Sequence, residues 1–221
     1  MHDARQSACA EIEERIVRGD LSSGLRLDER TLAGELDVDT GVVREALACL
    51  ERDNLTRAEA DGGFSVAPLD ENELRELYPV ALLLEGLAVR TAPEFPSGQL
   101  DRLREINDRL GACAGDPVTA ATCHWEFHEE LVRGCGNEQL LDTLRPLKRQ
   151  LLRYEFAYMD EAAIVERSAG QHAGIVDALS ACDRERAAAL VEANFRDALP
   201  DLLARMSAGG RRSGSARRSG T

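Results

Sequence analysis

The sequence predicts a mainly α protein: an N-terminal winged helix-turn-helix followed by an antiparallel all-α bundle of six to seven helices. Three observations carry this. Three short segments of helical period in the first 52 residues give way to two short extended segments around Asp61-Gly62-Gly63. After Pro68 every stretch reads with helical period, broken only at Pro- and Gly-rich turns. The 221 residues are 43% hydrophobic but only 4% aromatic, which is enough for a packed core, and an aliphatic one.

Residues 5–18 place Ala8, Ile12, Ile16 and Val17 at helical spacing, and Gly19 follows as a helix stop. Leu21-Ser22-Ser23-Gly24 reads as a turn. Asp28 is positioned to cap a short helix with Leu32, Ala33 and Leu36 on its apolar face. A third helix spans 40–52, with Asp39 or Thr40 as its cap and Val43, Ala46, Leu47 and Leu50 facing inward. Leu55-Thr56-Arg57-Ala58 and Phe64-Ser65-Val66-Ala67 are extended, and the Asp61-Gly62-Gly63 turn joins them as a hairpin. This first domain spans 1–68. The second, 69–206, holds helices at about 70–92, 97–112, 116–134, 137–158, 161–181 and 183–206. Residues 207–221, rich in Ser, Gly and Arg, read as a disordered basic tail.

Composition excludes several classes. No apolar run approaches the ~20 residues of a membrane span, and no basic-then-apolar leader opens the chain. Six cysteines without CxxC spacing read as reduced thiols in the cytoplasm. The net charge of −13 excludes a polyanion binder that works by bulk charge. Residues 1–68 themselves carry 15 acidic groups against 8 arginines. Lysine occurs once, as Lys148.

Ile16-Val17-Arg18-Gly19-Asp20-Leu21-Ser22-Ser23-Gly24 leading into Glu29-Arg30-Thr31-Leu32-Ala33, then Val42-Val43-Arg44-Glu45-Ala46-Leu47, resembles the head of GntR-family transcription regulators. Ser23 and Val42 stand where that family usually has proline. Leu84-Glu85, Phe127-His128, Gly136-Asn137-Glu138-Gln139-Leu140 and His172 through Leu179 resemble the FCD effector domain of the FadR subfamily. The resemblance covers about residues 8–206. It implies DNA contacts by Arg30, Thr40, Gly41 and Arg44, with the wing at Gly62 and Gly63 near the minor groove and Arg57 as a further candidate. An arginine at the start of a recognition helix suits guanine O6/N7. The family's usual Arg and Thr are here Thr40 and Gly41, and Asp37 and Asp39 flank the same turn, which weakens attraction to phosphate.

His124 and His128 are four apart and project from one helix face, where two imidazoles can share a divalent metal of the Zn or Ni type. His172, on another helix, is placed to close such a site. The resemblance adds that His128 and His172 match family ligands, while His124 replaces an Asp and Asn194 replaces a His. Without metal, the same residues would line a polar effector pocket. Arg149, Arg153 and Tyr154 are candidate effector contacts, an interior arginine being a carboxylate clamp. The family's arginine four residues before Glu85 is here Ala81.

An enzyme is not indicated. His124-Trp125-Glu126-Phe127-His128 is H-x-E-x-H, so Glu126 points away from any metal its histidines hold. No nucleophile elbow, P-loop or dinucleotide fingerprint occurs. The reading is a cytoplasmic, ligand-responsive regulator, a repressor, that binds an inverted-repeat operator in double-stranded DNA as a homodimer and takes a small-molecule effector, with no membrane partner. Two alternatives stand beside it: a thiol redox sensor using Cys123 or Cys135, and a metal-binding helical protein with an impaired head.

Overall fold

The computed structural model describes residues 2–113, 115–156 and 161–216. The chain folds as two compact units that divide after Asp70. In the first, α1 (His2–Arg18), α2 (Glu29–Leu36) and α3 (Thr40–Arg52) surround a core of Ile12, Ile16, Leu32, Val43, Leu47, Leu50, Leu55 and Val66, each almost fully buried. Each such side chain contributes roughly 1.5–3 kcal/mol by leaving water.

Asp28 caps α2, accepting from the backbone N–H groups of Arg30 and Thr31. Asp37 ends α2 in the left-handed conformation, φ 53°. At α3 the expected cap is absent: Asp39 occupies the N-cap position, but no side chain closes the first turn. The Val42 and Val43 N–H groups turn back to the Asp39 carbonyl, and a helix N-terminus favours an anion.

The hairpin has a third strand. β1 (Arg26–Leu27), β2 (Thr56–Ala58) and β3 (Phe64–Val66) form an antiparallel sheet in the order β1-β3-β2, with Leu27 opposite Phe64 and Arg57 opposite Ser65. Two residues are too few to show strand alternation, so β1 is set by its partner rather than by its own pattern. Gly62 and Gly63 turn the wing with φ 90° and 82°, where a Cβ would be strained. At the other end of the unit, the Ser23 hydroxyl accepts from the Leu69 backbone N–H at 2.9 Å.

The second unit holds α4 (Glu71–Thr91), α5 (Ser97–Ala112), α6 (Pro117–Val132), α7 (Glu138–Phe156), α8 (Ala162–Ser180) and α9 (Arg184–Ala216). α4 packs on α9 and α7, α5 on α6 and α8, and α8 on α9. Pro117 begins α6 where its missing N–H costs nothing, and Asp116 caps that helix through Thr119. Cys182, φ 58°, makes the tight turn from α8 into α9.

The backbone of α9 is helical through Ala216, within the segment expected as a tail; residues 217–221 lie outside the described residues.

Candidate functional site

The centre of the second unit is polar. His124 and His128 lie one turn apart on α6, and His172 reaches them from α8. Their rings are 4.6–5.2 Å apart centre to centre, and no ring is more than 7% exposed. Each offers a ligand nitrogen within 4.8 Å of the other two. Phe127 stacks on His172 at 3.8 Å, and Phe195 of α9 meets the edge of His128 at 5.2 Å. The cluster therefore sits in an aromatic cage supplied by α6 and α9.

Hydrogen bonding inside the cluster is incomplete. His124 Nδ1 lies 3.1 Å from Ser168 Oγ, and His128 Nδ1 lies 2.7 Å from Glu85 Oε2. His128 Nε2 and both nitrogens of His172 are buried without a hydrogen-bond partner among the described residues. Orphaned buried polar atoms are costly and call for an explanation. Burial, with the neighbouring His128, pushes the pKa of His124 well down. Burial, with His124 and His128, does the same to His172. Both rings are neutral at physiological pH, the form that ligates a metal. Three imidazoles suit a borderline divalent ion such as Zn or Ni, so the donor set fits one.

Beneath His128 lies a buried charge row that sequence reasoning missed. Glu85, from α4, is fully buried between His128 and Lys148 of α7, with Lys148 Nζ 2.9 Å from Glu85 Oε1. Lys148 also lies 3.2 Å from Glu129 Oε1 and 4.8 Å above the Trp125 ring. Burial alone would raise the Glu85 carboxyl, but Lys148 and His128 outweigh it and hold the pKa at about 2. Glu155 shares these neighbours. Burial pushes it up to about 7, against the pull of His128 and Lys148. Two signals were available: Glu85 interrupts an apolar helix face, and Lys148 is the chain's single lysine.

The predicted effector residues make contacts of their own. Asn194, 5% exposed, donates its amide to Gln171 Oε1 at 2.8 Å. Tyr154 is buried and donates its hydroxyl to Glu73, and Arg153 Nη2 lies 3.5 Å from the same carboxylate. The interior arginine thus faces a carboxylate of this chain. Arg149 is half-buried on the same helix. Glu126 pairs with Arg109 at 2.8 Å, so it is turned away from the histidines as its spacing implies. A separate groove of about 410 Å³ runs between α5, α6 and α7 over Trp125, with Lys148 and Glu129 in its lining.

In the first unit, Thr40, Gly41 and Arg44 are exposed at the start of α3. Arg44 is 66% exposed and ion-paired with Glu29 at 2.9 Å, a contact that sequence reasoning missed. Arg30 is exposed on α2 and Arg57 on β2. Arg26, also missed, bridges Asp61 and the Gly62 carbonyl, bracing the wing turn. Arg26, Arg30 and Gly63 line one shallow recess of about 540 Å³. The activated-thiol expectation is corrected for Cys123: burial pushes its pKa up to about 11, so it is not a nucleophile at neutral pH.

Two family profiles match this chain, "Bacterial regulatory proteins, gntR family" over residues 4–66 and "FCD domain" over residues 76–197. The chain belongs to the GntR family. A gluconate operon transcriptional repressor of Bacillus subtilis is 41% identical over 200 residues, covering 85% of this chain and 80% of the relative. The Nta operon transcriptional regulator of Aminobacter aminovorans is 30% identical over 81% of this chain and 85% of its own length. Among solved structures, E. coli McbR/YncC superposes with a TM-score of 0.83 at 19% identity, over 92% of this chain and 98% of the other, and so shares the fold. The GntR chain is thus a DNA-binding transcriptional regulator of FCD type and not an enzyme. Among the described residues no helix is long and apolar enough to cross a membrane.

Proposed function

We propose that this GntR regulator is a cytoplasmic repressor that binds an inverted-repeat operator as a homodimer. Its His124, His128 and His172 hold one divalent metal that forms part of a small-molecule effector site. The single observation that supports the site most strongly is the trio of orphaned ring nitrogens on His128 and His172, buried inside the effector domain. The metal would supply a Lewis acid to which an effector carboxylate can bind. Asn194, Arg149, Arg153 and Tyr154 would shape the surrounding wall.

Arg30, Thr40, Gly41, Arg44 and Arg57 form the proposed DNA-reading set, with Gly62 and Gly63 at the wing tip. Glu29 orients Arg44 before contact, so less side-chain entropy is lost on binding. The homodimer reading is supported by α4, where Val80, Leu83 and Leu87 are 46%, 58% and 43% exposed at helical spacing. An apolar stripe of this kind marks an association surface.

The test uses the purified chain, its own upstream DNA, Ni²⁺ or Zn²⁺, and gluconate as the first acid, because a 41% identical relative represses a gluconate operon. Competitor-resistant binding that metal plus a carboxylate releases supports the reading. His128→Ala should keep DNA binding and lose the response. Absence of specific DNA binding even at low salt would instead favour a metal-binding protein whose head is impaired by Thr40, Gly41 and the Glu29 pairing of Arg44.

A further inference from the structure

The row of Glu129, Lys148, Glu85 and His128, buried from Lys148 inward, is unusual for a bundle interior. It takes three charged groups from three helices and ends on one particular nitrogen of one histidine. A row that only neutralised charge could stop at the Lys148–Glu85 pair. We propose that Glu85, ion-paired to Lys148, is the positioning residue of the histidine cluster: it accepts a hydrogen bond from His128 Nδ1–H and so leaves Nε2 as the buried lone-pair nitrogen of that ring. The metal consequence rests on the reading given above. The tautomer itself does not.

The argument follows from what each atom can donate. Lys148 can only donate, and it lies 2.9 Å from Glu85 Oε1, so that oxygen is engaged as an anion. The other oxygen, Oε2, is 2.7 Å from His128 Nδ1, within hydrogen-bond range. A carboxylate has no proton to give, so the proton of this bond is on Nδ1. With that one proton on the ring, Nε2 is an acceptor; a second proton there would be a buried N–H with no acceptor among the described residues. Nε2 is the His128 atom that is buried with no hydrogen-bond partner among the described residues. The opposite tautomer would bury an unanswered N–H and set two lone pairs, on Nδ1 and Oε2, against each other.

Lys148 is anchored in turn. Glu129 lies 3.2 Å from Nζ on one side, and the Trp125 face lies 4.8 Å away on another. Glu129 is 42% exposed, so the row runs from the protein surface to His128 Nδ1. Outer-sphere carboxylates of this kind fix ring orientation and raise ligand basicity, and their loss costs 10–100-fold in metal affinity.

Long-range ¹H–¹⁵N spectra of the imidazoles in the metal-free full-length chain test this directly, with the His128 signals assigned by their loss in His128→Asn. A protonated Nδ1 with a bare Nε2 is the expected result, and a proton on Nε2 overturns the proposal. Because this spectrum is taken on the unaltered chain, it decides even if Glu85→Gln fails to fold. Calorimetric titration with Ni²⁺ follows, with circular dichroism as the folding check. Folded Glu85→Gln should bind roughly 10–100-fold more weakly and should show both His128 tautomers, since an amide can donate as well as accept. Unchanged affinity and an unchanged tautomer in that variant overturn the positioning role. If the native chain shows the Nδ1–H form but binds no Ni²⁺ or Zn²⁺, the metal reading fails and the positioning of His128 by Glu85 stands.

Discussion

Lys148→Met removes the lysine ion-paired with fully buried Glu85 while keeping most of the side-chain volume. Across 2.9 Å the Lys148–Glu85 attraction is about 6 kcal/mol at an effective dielectric constant of 20. Desolvating both groups consumes several kcal/mol of this, so the pair as a unit contributes little. Breaking it is different, because Glu85 stays buried without its cation. A loss of ~3–5 kcal/mol at pH 8 is expected. In the native chain the Glu85 pKa lies below its unfolded value, at about 2, so its contribution is present above the usual carboxylate range and is lost as pH falls through that range towards 2. In the variant, burial raises the same group, so the deficit is full at pH 8 and shrinks as acid protonates it. Urea unfolding followed by Trp125 fluorescence is the assay, because the single tryptophan sits beside Lys148 and reports this unit. A cost below ~1 kcal/mol, or one equal at pH 8 and pH 5, would refute the reasoning.

Glu155→Gln should act in the opposite direction. Its carboxyl is raised from 4.5 to about 7 by burial, so the cost of ionising it is absent below the unfolded value and complete above pH 7. The variant should be more stable by up to ~3 kcal/mol at pH 8 and unchanged at pH 4, as read from thermal midpoints. Arg44→Ala should weaken specific operator binding by ~1–3 kcal/mol in fluorescence anisotropy, with competitor DNA present; no change would remove α3 as the reading helix. Leu83→Arg places a charge in the α4 apolar stripe, and sedimentation should show a dimer replaced by monomer, with helical content preserved.

The architecture was legible because it rests on local rules. Helical period, the Asp28 cap and the breaks at Pro93-Glu94-Phe95-Pro96 and Gly134-Cys135-Gly136 each act over a few residues, and the helices begin and end close to those signals. β1 was hidden because its two residues are strand only through Phe64 and Ser65, nearly forty positions away. The site divides in the same way. The spacing of His124 and His128 is a property of one helix, and His172 followed from its likeness to a family pattern. Glu85 and Lys148 join that site through contacts between α4, α6 and α7, which no single segment encodes. Glu29 was likewise read as part of an opening motif, while its contact with Arg44 depends on how α2 packs against α3.

The Ser23 hydroxyl bond to Leu69 closes the first unit on its own opening turn. A proline at position 23 would have no hydroxyl to offer. With Leu69 tied to the turn that opens the head, Asp70 alone separates this clasp from the first residue of α4. The hydroxyl thus answers a backbone donor that a proline here would leave without this acceptor, and it fixes the last residues of the first unit from within that unit.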